Sequence, residues 1–247
     1  MIRAQHYIYN QSDIEICLIG SSMMARLNPE DINKNKSINL SMIGQSSQTG
    51  LEILKRNQKK PSIVIVEING TIQRGIDQEF ISELYNKFQY LLRLYFPVFR
   101  EEYKPISTLV SYLKRLKNGG NEDEETEILN PEIREKILKQ MIQEKNYSLS
   151  EEVKEKLTKE ANYIKHQIQF LQNQGVKIFL ADIPQDQEIQ QTISEQQTRK
   201  LLKKILSPDK FYWIPDPISL DLNTTDGIHL DDSSAKAYTH FLKDQVL

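Results

Sequence analysis

The chain has 247 residues and a formal net charge of −2, from 32 lysines and arginines against 34 aspartates and glutamates. This length is ample for a real core, and the near balance of charge gives no electrostatic case for nucleic-acid binding. One cysteine and four histidines exclude a disulfide framework and argue against a metal site, so we expect neither a metal nor another cofactor.

The first predicted strand covers residues 14–19 and runs directly into Gly20, Ser21 and Ser22. A serine here would sit at a strand-to-helix turn, where the N–H groups of a following helix, predicted over 23–27, face any negative charge that develops beside the hydroxyl. Taken alone, however, serines at such a turn more often cap a helix than act as nucleophiles.

Three further apolar strands are predicted over residues 37–40, 62–68 and 176–182. The candidate polar groups lie at or just beyond the carboxyl ends of these strands, which is where an open parallel sheet forms its ligand-binding crevice. The order of strands and helices therefore predicts an α/β fold with a doubly wound, mostly parallel sheet.

The region of about 75–174 is much longer than a crossover helix requires, and its apolar residues recur at helical spacing. We interpret it as a helical insertion or lid within a single α/β domain that spans residues 1–247. Its aromatic residues have two possible roles. They either pack against the sheet or form the wall of an acyl or sugar pocket, and in the second case the wall consists of Tyr95, Phe96, Phe99 and Tyr103.

Toward the C-terminus, the pattern predicts one helix over 186–206, a short strand over 210–214 and a final helix capped by Ser233 or Ser234. Before that last helix, Asp226 precedes His229 by three residues, so its carboxylate can accept the ring Nδ1 proton and leave Nε2 free as a base. The alternatives are an aspartate that caps the helix and a histidine that is an ordinary polar residue.

Together these residues resemble the SGNH (GDSL-like) hydrolases, whose chemistry lies in four short blocks. Ser22 matches the nucleophile of the first block, and Asp226 and His229 match the last block closely. Gly44 in the second block and Asn69 in the third match the residues that complete the oxyanion hole. The first block has Ser21 where aspartate is usual, as in cell-surface branches of the group, and the overall style is nearest to the bacterial branch that handles acyl groups on surface polysaccharides.

The resemblance implies a flavodoxin-like fold and a serine esterase that cleaves acyl esters of a small molecule or a carbohydrate, with short O-acetyl groups as the expected acyl part. An acyltransferase would use the same residues, with a sugar hydroxyl in place of water. The remaining alternative is a noncatalytic binding or scaffold protein that docks a partner through the helical region.

The compartment and the oligomeric state stay open. No run approaches the eighteen or so apolar residues that cross a bilayer, and residues 1–12 lack the apolar core of a signal peptide. Taken literally, this predicts an unexported chain without a membrane span. A start so close to the first strand would equally fit a chain trimmed of an N-terminal signal or anchor, which would place it outside the cytoplasm.

Overall fold

The computed structural model describes residues 1–9, 13–101 and 130–247. The chain divides into two compact units. The first comprises Met1–Ser12 and Asp77–Glu127, and the second comprises Asp13–Ile76 and Ile128–Leu247. All five residues of the predicted catalytic site therefore belong to the second unit.

The second unit is built around a parallel sheet. Its five strands are β1 (Ile16–Ile19), β2 (Ser37–Asn39), β3 (Ile63–Glu67), β4 (Lys177–Ala181) and β5 (Tyr212–Trp213). They lie in the order β2-β1-β3-β4-β5, and every neighbouring pair is parallel. The predicted α/β class and parallel sheet are confirmed.

The described residues form ten α-helices. In chain order they are α1 (Ile2–Tyr9), α2 (Ser22–Ala25), α3 (Ser47–Arg56), α4 (Gln78–Leu84), α5 (Lys87–Tyr95), α6 (Pro131–Lys145), α7 (Glu151–Gln172), α8 (Gln187–Gln190), α9 (Ile193–Ile205) and α10 (Asp232–Val246). None of the helices in these ranges combines the length and hydropathy needed to span a membrane.

Helices cover both faces of the sheet. Alternate residues of β1 point in opposite directions, so Ile16 and Leu18 pack with Tyr238 and Leu242 of α10 on one face. On the other face Ile19 lies against Gly50 of α3, where an added Cβ would come within 2.6 Å of the isoleucine side chain. The helices α3, α7 and α9 pack together on this side. The strands are consequently buried on both sides, which explains their continuous apolar runs.

The strand order determines where a site can form. From β1 the chain moves outward to β2, and it then returns past β1 to form β3 on the other side. The helices that follow β1 and β3 consequently leave the sheet on opposite faces, and a crevice opens between the carboxyl ends of these two strands. Ser22 follows β1 and Asn69 follows β3, so both residues flank this crevice.

The helical region predicted over about 75–174 contributes elements to both units. The helices α4 and α5 belong to the first unit, whereas α6 and α7 belong to the second, in which α7 contacts α3 and β4. The proposed aromatic wall also starts in the first unit, with Tyr95, Phe96 and Phe99. Its fourth member, Tyr103, lies outside the described residues.

Two predictions of local structure were wrong. The helix predicted over 186–206 is divided into α8 and α9, because Thr192 turns out of the helical conformation and its hydroxyl donates to the Ile189 carbonyl at 2.7 Å. The last helix is capped by the Asp231 carboxylate, which accepts from the Ser234 N–H at 2.7 Å, and not by a serine. In both cases a side-chain hydrogen bond to nearby backbone sets where a helix ends or begins, a local effect that periodicity does not report.

Candidate active site

Ser22 lies at the tight turn where β1 passes into α2. Ser21 is the N-cap of this helix and its hydroxyl accepts from the Met23 N–H, while Ser22 is the first helical residue. The Ser22 N–H therefore has no partner within the helix, and no described residue accepts from it. Gly20 leaves no room for a side chain, since an added Cβ would lie 2.5 Å from the Met24 Cβ. The turn thus presents a hydroxyl and an unused N–H group.

The buried carboxylate of Glu67, at the end of β3, holds this turn in place. Its Oε2 accepts from the backbone N–H groups of Ser21 and Met24, at 2.9 and 3.1 Å. Its Oε1 accepts from the Ser21 hydroxyl at 2.6 Å and from the Asn69 amide at 2.7 Å. All four neighbours are donors, and the side chain is almost fully buried. Glu67 therefore links the backbone on both sides of Ser22 to Asn69.

Asp226 and His229 lie on the loop that precedes α10. The His229 Nδ1 and the Asp226 Oδ2 are 2.7 Å apart, and Oδ1 of the same carboxylate accepts from the N–H groups of His229 and Ile228, at 2.8 and 3.0 Å. Burial disfavours the charged form of Asp226, but the hydrogen bonds from His229 and Ile228 outweigh it and hold the pKa of this carboxyl well below its usual range. The aspartate is therefore ionised and fixes the orientation of the ring.

The imidazole reaches across to Ser22. The His229 Nε2 lies 2.8 Å from the Ser22 Oγ, a contact between residues 207 positions apart in the chain. Since Nδ1 carries its proton toward Asp226, Nε2 is the acceptor and the serine hydroxyl is the donor. An unbroken chain of hydrogen bonds thus runs from the hydroxyl through the ring to the carboxylate. This is the arrangement that activates a serine for nucleophilic attack.

The Asn69 side chain also faces this site. Its Oδ1 accepts from the N–H and the hydroxyl of Thr71, at 2.9 and 2.7 Å, which determines the direction of the amide. One Nδ2 hydrogen is directed at Glu67, and the other points at the Met23 sulfur at 3.4 Å. Sulfur is a weak acceptor, so this second hydrogen is available to a stronger acceptor that enters beside Ser22.

Gly44, the remaining predicted site residue, lies in an exposed turn. It occupies the third position of a turn closed by a hydrogen bond from the Gln45 N–H to the Met42 carbonyl at 3.2 Å. Its φ of +79° is the conformation that such a turn requires and that glycine adopts most readily. Gly44 is exposed and is not among the residues that line the cleft beside Ser22.

The loop that carries the histidine is supported from α6 and α8. Gly227 adopts a φ of +93°, and a side chain there would approach the Ile189 Cδ1 to 2.8 Å. Its carbonyl accepts from the Asp186 N–H at 2.8 Å. Arg134 of α6 reaches the Thr224 carbonyl at 3.0 Å and the Asp186 carboxylate at 3.2 Å. These contacts fix the backbone on both sides of Asp226.

A cleft of about 470 Å³ opens beside the serine. Its lining residues all belong to the second unit and are Ser21, Ser22, Met23, Asn69, Gly70, Thr71, Gln73, Arg74, Lys145, Tyr147, Leu149, Gln185, Ser194, Glu195, Thr198, Ile228 and His229. Most of these side chains are polar, and the apolar ones are few. Polar and apolar atoms nevertheless contribute comparable shares of the cleft surface.

Sequence reasoning missed Glu67 and the residues of the cleft wall. Glu67 carried a usable signal, because an acid within the otherwise apolar run 63–68 must find donors if that strand is buried. The cleft wall carried no such signal, since Lys145, Gln185 and Glu195 resemble surface residues in the sequence. Within the described ranges, no group of three or more histidine, cysteine, aspartate or glutamate side chains is arranged to hold a metal ion.

Comparisons with known proteins find structural likenesses but no family. No protein-family model matches the chain, and no curated protein matches it. A crystal structure of a Bacteroides fragilis protein, provisionally described as an acylhydrolase, aligns with a TM-score of 0.45 and 10% sequence identity. The alignment covers 99% of this chain and 92% of the other.

Proposed function

We propose that this chain is a serine hydrolase of the SGNH type that cleaves acyl esters. The observation that carries the proposal is the hydrogen-bonded chain Ser22–His229–Asp226, with contacts of 2.8 and 2.7 Å. Ser22 acts as the nucleophile, His229 as the base, and Asp226 holds the ring and stabilises the imidazolium. The hydroxyl and amide groups in the cleft lining favour a carbohydrate as the alcohol, and we expect a short acyl group such as acetyl.

The reaction proceeds in two halves. The His229 Nε2 takes the proton of Ser22 as Oγ attacks the ester carbonyl, and it then gives this proton to the departing alkoxide, which leaves an acyl-serine. Water next attacks the acyl-serine with His229 again as base, and the collapse of the second tetrahedral intermediate releases the acid and restores the serine. Every proton is returned, and no cofactor is needed.

The oxyanion requires donors beside Ser22. The unused Ser22 N–H is one donor, and the Asn69 Nδ2 hydrogen directed at the Met23 sulfur is the second, because a developing oxyanion accepts far better than a thioether. The Gly44 N–H is the third donor that the resemblance implies. It belongs to the exposed turn 42–45, so its contribution remains a prediction.

Labelling with a fluorophosphonate tests the proposal directly, because this probe reacts with activated serines only. We expect labelling confined to Ser22 by peptide mapping, and its loss in Ser22→Ala. The control Ser62→Ala removes a hydroxyl at the opposite end of the sheet, where it binds the Glu15 carbonyl, and should label normally. A folded protein that is not labelled at Ser22 would instead indicate the noncatalytic binding protein.

Hydrolysis of p-nitrophenyl acetate then ranks the site residues. Ser22→Ala should remove nearly all turnover, whereas Asn69→Ala should lower kcat about 10²- to 10³-fold through the loss of one oxyanion donor. Substantial turnover by Ser22→Ala would exclude this serine as the nucleophile.

A further inference from the structure

The charges along the cleft do not cancel. Beside the imidazole, its charged lining residues are Arg74, Lys145 and Glu195. Lys145 and Glu195 form an ion pair across the wall. Among the described residues no carboxylate lies within ion-pair distance of Arg74, whose side chain donates a hydrogen bond to the Gln45 carbonyl at 3.4 Å. Among the charged side chains that line the cleft, Arg74 is therefore the one without an ion-pair partner in the described residues.

The position of Arg74 relates this charge to the proposed reaction. Arg74 ends the short 3-10 helix Gly70–Arg74, which begins immediately after Asn69. Four residues of that helix line the cleft together with Asn69, so the helix forms one continuous side of it. A 3-10 helix rises about 2 Å per residue, which separates the backbone of Arg74 from that of Asn69 by about 10 Å. Since the proposed acyl group is short, a group bound by the arginine at this distance would belong to the alcohol part of the ester.

Other residues in the lining suit a hydroxylated compound. Ser194 and Thr198 of α9 supply hydroxyl groups, and Gln185 supplies an amide whose buried Oε1 has no hydrogen-bond partner among the described residues. Tyr147, with 51% of its surface exposed, adds an aromatic ring on which the face of a sugar can pack.

We infer that the substrate is an acyl ester of an acidic sugar, whose carboxylate or phosphate is bound by Arg74. The inference rests on the proposed hydrolase function and further specifies that the alcohol part of the substrate is negatively charged. A guanidinium binds either anion through two parallel hydrogen bonds, which gives direction as well as attraction. Arg74 is accordingly a specificity-determining residue, and the hydroxyl groups of the sugar face Gln185 and α9.

A matched pair of esters tests the charge preference. We would compare kcat/KM for 3-acetoxybenzoate and for its uncharged methyl ester, which share the acetyl group and the position of the second substituent. We expect the wild-type preference for the anion to fall about five- to tenfold in Arg74→Gln and to reverse in Arg74→Glu. The wild-type preference should also weaken as salt is added, because the arginine is exposed to solvent.

Lys200→Gln is the control. It makes the same change of charge on α9 at an exposed residue outside the cleft, and it should leave the preference as in the wild type. Methyl glucuronide and methyl glucoside extend the test to sugars. As competitive inhibitors of p-nitrophenyl acetate hydrolysis, the acidic sugar should bind more tightly, and Arg74→Gln should remove the difference.

The two proposals fail in different ways. If Ser22 is labelled and both esters are hydrolysed, but Arg74→Gln leaves the preference unchanged, the acidic sugar is excluded and the hydrolase stands. Equal inhibition by the two sugars would also exclude it. If neither ester is hydrolysed and Ser22 is not labelled, the proposed function itself fails and the inference fails with it.

Discussion

Replacing Glu67 by glutamine tests whether this buried carboxylate organises the nucleophile turn. The two side chains have nearly the same shape, so the change removes charge and one acceptor without opening a cavity. The new NH₂ group must face one of two pairs of donors. Facing the backbone pair would leave the N–H groups of Ser21 and Met24 without an acceptor. Facing the other pair costs less, because the Ser21 hydroxyl can rotate and accept.

The less costly orientation places the damage on Asn69. The Asn69 Nδ2, which now donates to the Glu67 Oε1 at 2.7 Å, would then face the NH₂ group of the new glutamine, and neither group can accept. The loss of one buried hydrogen bond to a charged group, together with the weakening of those that remain, should lower the free energy of unfolding by about 2–4 kcal/mol. Domains are stable by roughly 5–15 kcal/mol, so the variant should still fold. Displacement of the Asn69 amide should lower kcat about 10²-fold with little change in KM.

Urea unfolding and steady-state hydrolysis of p-nitrophenyl acetate measure the two effects separately. Glu52→Gln is a matched control, because Glu52 is also buried but accepts from Arg56 of its own helix at 2.7 Å, away from the cleft. It should lose no more than about 1 kcal/mol of stability, and it should keep its kcat. If kcat of fully folded Glu67→Gln stayed within twofold of the wild type, the carboxylate would have a role in folding only, and our reasoning about the turn would be refuted.

Gly227→Ala should lower the free energy of unfolding by about 2–4 kcal/mol and reduce turnover, because the residue has a φ of +93° and the new Cβ would meet Ile189 at 2.8 Å. Gly175→Ala is the control, because φ there is +85° but nothing lies within 4 Å of an added Cβ. Chemical denaturation should show that it loses only about 1 kcal/mol of unfolding free energy, and its hydrolysis should be normal. Equal effects at the two glycines would contradict the packing argument. Asp226 has a depressed pKa in the folded protein, so it contributes stability that is complete above the unfolded-state value of about 4 and is lost as the pH falls below it. Urea titrations from pH 5 to pH 3 should therefore show a shallower loss of stability in Asp226→Asn than in the wild type, and equal slopes would show that the hydrogen bonds to His229 do not stabilise the fold.

The strands could be predicted from the sequence because their signal is local. Continuous apolar runs such as 63–67 are buried on both faces of a parallel sheet, and the structure has a strand in each of the predicted places. The spacing of Asp226 and His229 is also local, since one turn of backbone brings the carboxylate to the ring. Helix boundaries were less predictable, because they depend on individual side-chain hydrogen bonds such as those of Thr192 to the Ile189 carbonyl and of Asp231 to the Ser234 N–H.

The sequence by itself determined the α/β class, the turn that presents Ser22 and the aspartate–histidine pair, because each follows from residues close together in the chain. Only the tertiary structure decided that His229 meets Ser22 across 207 positions and that Glu67 links the serine turn to Asn69. It also decided that Arg74 has no acidic neighbour at ion-pair distance within the described part of the chain. These relations depend on the order β2-β1-β3-β4-β5, which brings distant loops to one edge of the sheet. Strand order is set by the burial of the whole chain, and no short segment carries that information.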